Sequence, residues 1–398
     1  MPKRVPMPRA NPPERELLLR SCRAAGPAGL EELLAGPLEW PWVLSQAAEN
    51  AVTPSLYLAL RDRGGVPEAV RAALRESFLR NVAHALRLAS HLVEILGHLR
   101  EYGVPALAYK GPALAAMAYG RVEMRCFADL DLLVPRAGRE AARAALEAAG
   151  YRLAVSREKA ARLLREGYHL PFAGRGAAPP IELHWAITAA YWPFPLDPAR
   201  LWSGASAVEI LGSPVPTLDR ELTVLALCAH GAKERWPRLA LVRDLAALAA
   251  QPGGLDWAWM AREAAAMGRT RVLLLGLWLA ASLLHAPVPP ALLAEARADR
   301  VVLETTGQIE DHLFSGDLPS GLAFHRYAWR VWNRWPDRLR YLRHAAAPLP
   351  ARAANLLRPS AADGSLPAGL PWVWRPLRAV WQWRAEPREL LRRIANNL

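Results

Sequence analysis

The hydrophobic period of this chain changes twice, and that change limits the fold more than any other feature. From Glu16 to about Arg100 apolar residues recur at helical spacing. Trp40-Pro-Trp-Val-Leu-Ser-Gln-Ala-Ala-Glu-Asn opens one helix, and Val66-Pro-Glu to Arg100 reads as one or two long amphipathic helices. Near Gly103 the period shortens. Val104-Pro-Ala-Leu-Ala-Tyr suits a buried strand, and Lys110-Gly111-Pro112 follows at once, with the proline placed for the first turn of a helix to Tyr119. Phe127-Ala-Asp-Leu-Asp-Leu-Leu-Val alternates apolar and acidic residues and predicts a second strand. Arg136 to Ala149 predicts a helix closed by Gly150, and Tyr151-Arg-Leu-Ala-Val and Ile181-Glu-Leu-His-Trp predict two further strands. After about Leu196 the helical period returns, over Leu218–Gly231, Leu239–Ala250, Asp256–Met267, Val272–Leu284 and Ala291–Phe314. The expected class is therefore α+β, a small mixed sheet flanked by N-terminal and C-terminal helical regions. Its expected divisions are a loose arm (1–15), an N-terminal helical region (16–100), an α/β core (101–200), a helical domain (201–318) and a basic Trp/Arg-rich region (319–398).

Composition removes several classes. With 398 residues, 52% hydrophobic and 22% charged, the chain is neither disordered nor collagen-like. Three dispersed cysteines, at 22, 126 and 228, form neither a disulfide framework nor a CxxC zinc site. The N-terminal segment has no apolar stretch behind its charges, and Val272–Leu284 falls short of the roughly 20 residues of a membrane span, so it reads as a buried helix. The expectation is a cytoplasmic protein, soluble or peripherally attached to a membrane.

The net charge is +13, and only Lys3, Lys110, Lys159 and Lys233 are lysines. From Gly321 onward there are 14 arginines, four acids and seven tryptophans. Arg326, Arg330, Arg334 and Arg338 repeat every four residues beside Trp329, Trp332 and Trp335, which on one helix makes adjoining stripes. Three readings stay open: an anionic membrane surface, favoured for the Trp/Arg segment after Pro367; a nucleic-acid or phosphate surface; or a solvated face over the core.

The chemistry concentrates in the middle. On a strand, Asp129 and Asp131 project to the same face. Two carboxylates that close repel, and a hard divalent cation relieves the repulsion. Glu182, on another predicted strand, supplies a third acid for a two-metal site. Lys110-Gly111 sits at a strand-to-helix turn where backbone N–H groups can meet a phosphate. Arg121 and Arg125 stand just upstream of the acids and are suited either to a triphosphate or to ordinary ion pairs. His184 shares a strand face with Glu182, where it could polarise a substrate oxygen, and His169 is a further candidate.

Leu107-Ala-Tyr-Lys-Gly-Pro-Ala-Leu, then Arg125-x-x-x-Asp-Leu-Asp-Leu-Leu-Val, then Ile181-Glu-Leu-His-Trp, in that order, resemble the uncharacterised nucleotidyltransferase family of the polymerase-beta-like superfamily. The resemblance implies a nucleotidyltransferase core in which Asp129, Asp131 and Glu182 bind two Mg²⁺, with Mn²⁺ as the alternative ion. It implies transfer of a nucleoside monophosphate from an NTP to an acceptor, with release of pyrophosphate. Lys110 and Gly111 take the place of the superfamily's Gly-Ser. Ala229-His-Gly-Ala-Lys-Glu-Arg-Trp and the later Asp244 look like the family's helical segment, which nominates His230, Lys233, Trp236 and Asp244 as nucleotide contacts. Glu234 departs from the family pattern, where a second histidine is expected. Two alternatives accompany this reading: an inactive NTP-binding or interaction module, membrane-peripheral through its tail, and a nucleic-acid-directed nucleotide transferase.

Overall fold

The computed structural model describes residues 12–24, 26–315 and 322–346. The first helix begins at Pro12, inside the stretch expected to be loose, and runs to Cys22. Short helices follow at Leu30–Leu34, Trp40–Glu49 and Thr53–Leu60, the last two each with a proline in the first turn. Val66–Arg100 resolves as one 34-residue helix, Glu68–Glu101, about 50 Å long at 1.5 Å per residue. Val70, Leu74, Phe78, Ala85, Leu88, Ala89, Leu92, Ile95 and Leu99 make its buried stripe. Gly103, at φ +69°, turns the chain into the sheet.

Five strands form that sheet: β1 (Leu107–Ala108), β2 (Leu130–Leu133), β3 (Arg152–Leu153), β4 (His169–Ala173) and β5 (Ile181–His184), in the order β1-β2-β5-β4-β3. The β2–β5 pair is parallel and the others are antiparallel, so the sheet is mixed. Alternation divides its faces. Ala108, Leu130, Leu132, Leu170, Phe172, Ile181 and Leu183 pack with the C-terminal half of the long helix and with Ala142, Ala145 and Leu146 of the Arg139–Ala148 helix. Leu107, Tyr109 and Leu133 face the other way, onto Leu218, Leu222 and Ala226. Asp131, Glu182 and His184 have the parity of that second face.

The return to helices after Leu196 is interrupted. A hairpin, β6 (Ser206–Ile210) and β7 (Ser213–Thr217), turns through Leu211 and Gly212, both with positive φ, and buries Ile210 and Val215 in the first core. Pro214 and Pro216 obscure its strand period, and a two-stranded hairpin tolerates them because each strand has a free edge. Helices then run at Arg220–Glu234, Leu239–Ala249, Trp257–Met267, Thr270–Leu284, Pro290–Ala298, Arg300–Ser315, Leu322–Val331 and Trp335–Ala346. The expected Ala291–Phe314 helix is two, broken at Asp299, whose side chain accepts from the Val301 N–H at the start of the second. Thr270–Leu284 is buried along most of its length, and no described helix is long and apolar enough to cross a membrane.

The arginine stripe is likewise not one face, because the helix stops at Val331 and a new one starts at Trp335. Arg330 pairs with Glu304, Arg334 donates to the Ala266 carbonyl at 2.6 Å and Arg338 to that of Trp332 at 3.0 Å, while Trp332 is fully buried. The Trp/Arg segment after Pro367 lies outside the described residues. The chain divides into two compact units after Arg338. All site geometry below belongs to the first.

Candidate active site

The long helix sets the entry to β2. Asn81 donates to the carbonyls of Glu123 and Arg125 at 2.8 and 3.4 Å, and His84 Nε2 lies 2.9 Å from that of Phe127. These contacts fix the loop that delivers Asp129 and Asp131. Asp131 lies directly opposite Glu182 in the parallel β2–β5 register, and Leu133 opposite His184. Asp129 immediately precedes β2, and it lines the same cleft as Asp131 and Glu182.

Asp131 is the buried centre of the site, with its side chain 6% exposed. Its Oδ1 accepts from Lys110 Nζ at 3.0 Å and lies 3.1 Å from His184 Nε2, which is also 3.1 Å from Glu182 Oε2. Burial alone would raise the Asp131 carboxyl, but the Lys110 ammonium and the His184 hydrogen bond outweigh it and hold the group well below the usual carboxylate range. Glu182 is lowered too, first by its hydrogen bond from His184. Asp129 goes the other way. Burial, with the negative charges of Asp131 and Glu182 beside it, raises its carboxyl.

His184 is packed among aromatic rings: Tyr109 edge-on at 5.4 Å, His169 stacked at 5.2 Å and Tyr168 at 5.8 Å. Those contacts orient Nε2 toward the acids. Burial and the neighbouring His184 push the His169 imidazole down to about 4.

Lys110 caps the N-terminus of the Gly111–Tyr119 helix. Gly111 has φ +52°, and a Cβ built there would stand 3.4 Å from the Asp129 carbonyl oxygen. That distance is ordinary contact, so it is the left-handed backbone angle, rather than lack of space, that favours glycine at this turn. Arg125 lines the cleft and is braced from behind. Its Nε donates to Asp244 Oδ2 at 2.9 Å, while Tyr119 Oη donates to Oδ1 at 2.7 Å. Arg121 instead pairs with Glu123.

The Arg220–Glu234 helix closes the opposite wall. His230 and Lys233 both line the cleft, Lys233 donating to Tyr168 Oη at 3.2 Å and to Glu234 Oε1 at 2.9 Å. Burial and the charge of Lys110 push His230 well below the ordinary imidazole range, so the ring is neutral at pH 7. Glu234, the departure from the family pattern, thus serves as Lys233's counter-charge. Trp236 is not on the cleft; its indole fills the space that a side chain on Gly231 would take, in the helical core. Asp244, 1% exposed, sits behind Arg125 rather than on the lining.

The cleft has a volume of about 710 Å³, within the range of small-molecule sites. Tyr168, Glu49, Asn50, Arg238 and His312 also line it. Sequence reading missed these five: Glu49 and His312 lie on two separate helices, and Asn50, Arg238 and Tyr168 on the connections that flank helices or strands. Asp131, Glu182 and His184 can each turn one donor atom into a group spanning no more than 4.8 Å. Two carboxylate oxygens and an imidazole nitrogen, with Asp129 on the same cleft, fit a divalent cation. The oxygens suit Mg²⁺, and the nitrogen is better matched to Mn²⁺. The Lys110 ammonium and the hydrogen bond with His184 offset the buried charge of Asp131.

No curated protein matches this chain. The solution structure of the antibiotic-resistance factor ANT(2″)-Ia aligns with 46% of this chain and 90% of its own, at 16% identity and a TM-score of 0.32. The model of the family described as "Uncharacterised nucleotidyltransferase" matches residues 36–285, a span that contains the sheet, the acids and the cleft's basic wall. The chain belongs to the uncharacterised nucleotidyltransferase family.

Proposed function

We propose that the cleft transfers a nucleoside monophosphate from an Mg²⁺-bound NTP to an acceptor hydroxyl. The observation that carries this is the facing of Asp131 and Glu182 across two parallel strands, with Asp129 beside them and Lys110, Arg125 and Lys233 around them. Asp129, Asp131 and Glu182 would hold the ions, two as the family resemblance implies, and His184 orients Glu182 and Asp131. When bound, divalent ions activate the attacking oxygen and offset charge on the departing pyrophosphate. Lys110, Lys233 and the free N–H groups at Gly111 bind the β- and γ-phosphates. Arg125, fixed by Asp244, meets charge that develops on the α-phosphate. The acceptor oxygen bonds to the α-phosphorus, the bond to the β-phosphate bridging oxygen breaks, and pyrophosphate leaves. Glu182 serves either as the third ion ligand or as the base that takes the hydroxyl proton, which otherwise passes to water; its side chain is 36% exposed against 6% for Asp131.

The test is NTP-dependent pyrophosphate release with a panel of hydroxyl acceptors. Asp131→Asn should retain the fold and lose about 10²–10³-fold or more in rate, the scale of removing one group that stabilises developing charge. Release by the variant at the parent's rate would end the proposal. NTP binding by the parent with no transfer to any acceptor would support the alternative of an inactive nucleotide-binding module.

A further inference from the structure

A second cavity, of about 430 Å³, lies between the N-terminal helices and the Leu239–Ala249 helix. Three arginines line it, Arg23, Arg121 and Arg243, and no aspartate or glutamate does. Two of the three are neutralised nearby, Arg23 by Glu16 and Arg121 by Glu123.

Arg243 is different. It is 6% exposed, its guanidinium lies 4.1 Å over the Tyr119 ring, and its Nη1 donates to the Met124 carbonyl at 2.7 Å. Among the described residues no carboxylate pairs with it. The adjacent Asp244 turns to the other side, where its oxygens engage Tyr119 and Arg125. A guanidinium keeps its charge at any physiological pH and carries five N–H donors, so burying one without a counter-anion is costly. Across the cavity, the Ser55 hydroxyl is buried with no nitrogen or oxygen partner; its polar neighbour is the Cys22 thiol. A permanent cation with unused donors and a hydroxyl with only a thiol beside it thus line one cavity, beside the apolar Leu58 and Ala247.

We propose that this cavity is an oxyanion-binding site, taking a small phosphate- or carboxylate-bearing molecule with Arg243 as its anchor and Ser55 as a second donor. The site is separate from the catalytic cleft, and its existence does not depend on the reaction proposed there. It is nevertheless joined to it through Tyr119. The ring lies under Arg243 and the hydroxyl holds Asp244, which in turn holds Arg125. An occupant therefore bears on the residue that positions a catalytic cation.

Isothermal titration of the full chain with inorganic phosphate and, separately, with citrate tests this and tells the two sources apart by which binds tighter. Arg243→Met keeps the packing of the stem and should weaken binding about tenfold to a hundredfold, as expected for loss of a charge-assisted hydrogen bond. Ser55→Ala should weaken it several-fold. Lys233→Met, which weakens any phosphate binding in the catalytic cleft, should leave the Arg243-dependent component unchanged. Should Arg243→Met fail to fold, hydrogen exchange on the parent decides: protection on ligand addition is expected at residues 53–60 and 239–249. No binding by the parent, parent-like binding by Arg243→Met, or protection confined to the catalytic cleft would each overturn the proposal.

Discussion

Lys110 has two duties at the site that pull in different directions. In the structure its ammonium neutralises buried Asp131 beside a helix N-terminus, and in the proposed reaction it also binds an incoming phosphate. Removing it separates stability from activity. Lys110→Met leaves the Asp131 carboxylate with His184 alone, and the chain should lose about 2–3 kcal/mol, near the low end for breaking a buried pair because one donor remains. Adding Asp131→Asn to Lys110→Met removes the orphaned charge and should restore much of that stability, while turnover stays lost. Denaturant unfolding of the parent, both single variants and the double variant checks this cycle. Additive losses would mean that the two side chains are not coupled. The acids themselves were readable from the sequence, since alternation in Phe127–Val134 and Ile181–Trp185 places Asp131 and Glu182 on strands. The brace behind Arg125 was not. Asp244 is 119 residues away from Arg125, and only the folded chain brings the two together.

Among the elements, the cleft depends on one small residue. Asn50, 2% exposed at the end of the Trp40–Glu49 helix, accepts from the Leu239 N–H at 2.9 Å and donates to the Leu313 carbonyl at 3.1 Å. It thereby joins three helices whose ends line the catalytic cleft. Asn50→Leu, close in volume, leaves the buried groups of Leu239 and Leu313 without partners and should cost about 2–6 kcal/mol at roughly 1–3 kcal/mol per orphaned group. A fall in the urea midpoint of less than a few tenths of a molar, with the slope unchanged, would contradict this. Long apolar stripes made most helices legible, including Leu239–Ala249 and Thr270–Leu284. Strand β4 and the β6–β7 hairpin escaped because Pro171, Pro214 and Pro216 interrupt runs that are short already, and tertiary pairing rather than local preference keeps them extended.

At the scale of the whole molecule, a ligand held between the sheet and the Arg220–Glu234 helix should stabilise the fold by mass action. Mg²⁺ with a non-hydrolysable NTP at a hundred times its Kd should add about 2.7 kcal/mol and raise the thermal midpoint by a few degrees, and a chelator should reverse most of the gain. Nucleotide that stabilises equally well without any divalent cation would count against the three acids as its anchor. The sheet carries one more consequence. Neighbouring side chains on β2 and β5 alternate between a wholly apolar core and the acid-bearing cleft. Sliding either strand by a single position would drive Asp131, or Glu182 and His184, into the oily side and bring leucine or isoleucine to the cleft. A misaligned sheet is therefore penalised by the same charged groups that the proposed chemistry requires, so assembly of the acid cluster doubles as a proofreading step for the fold.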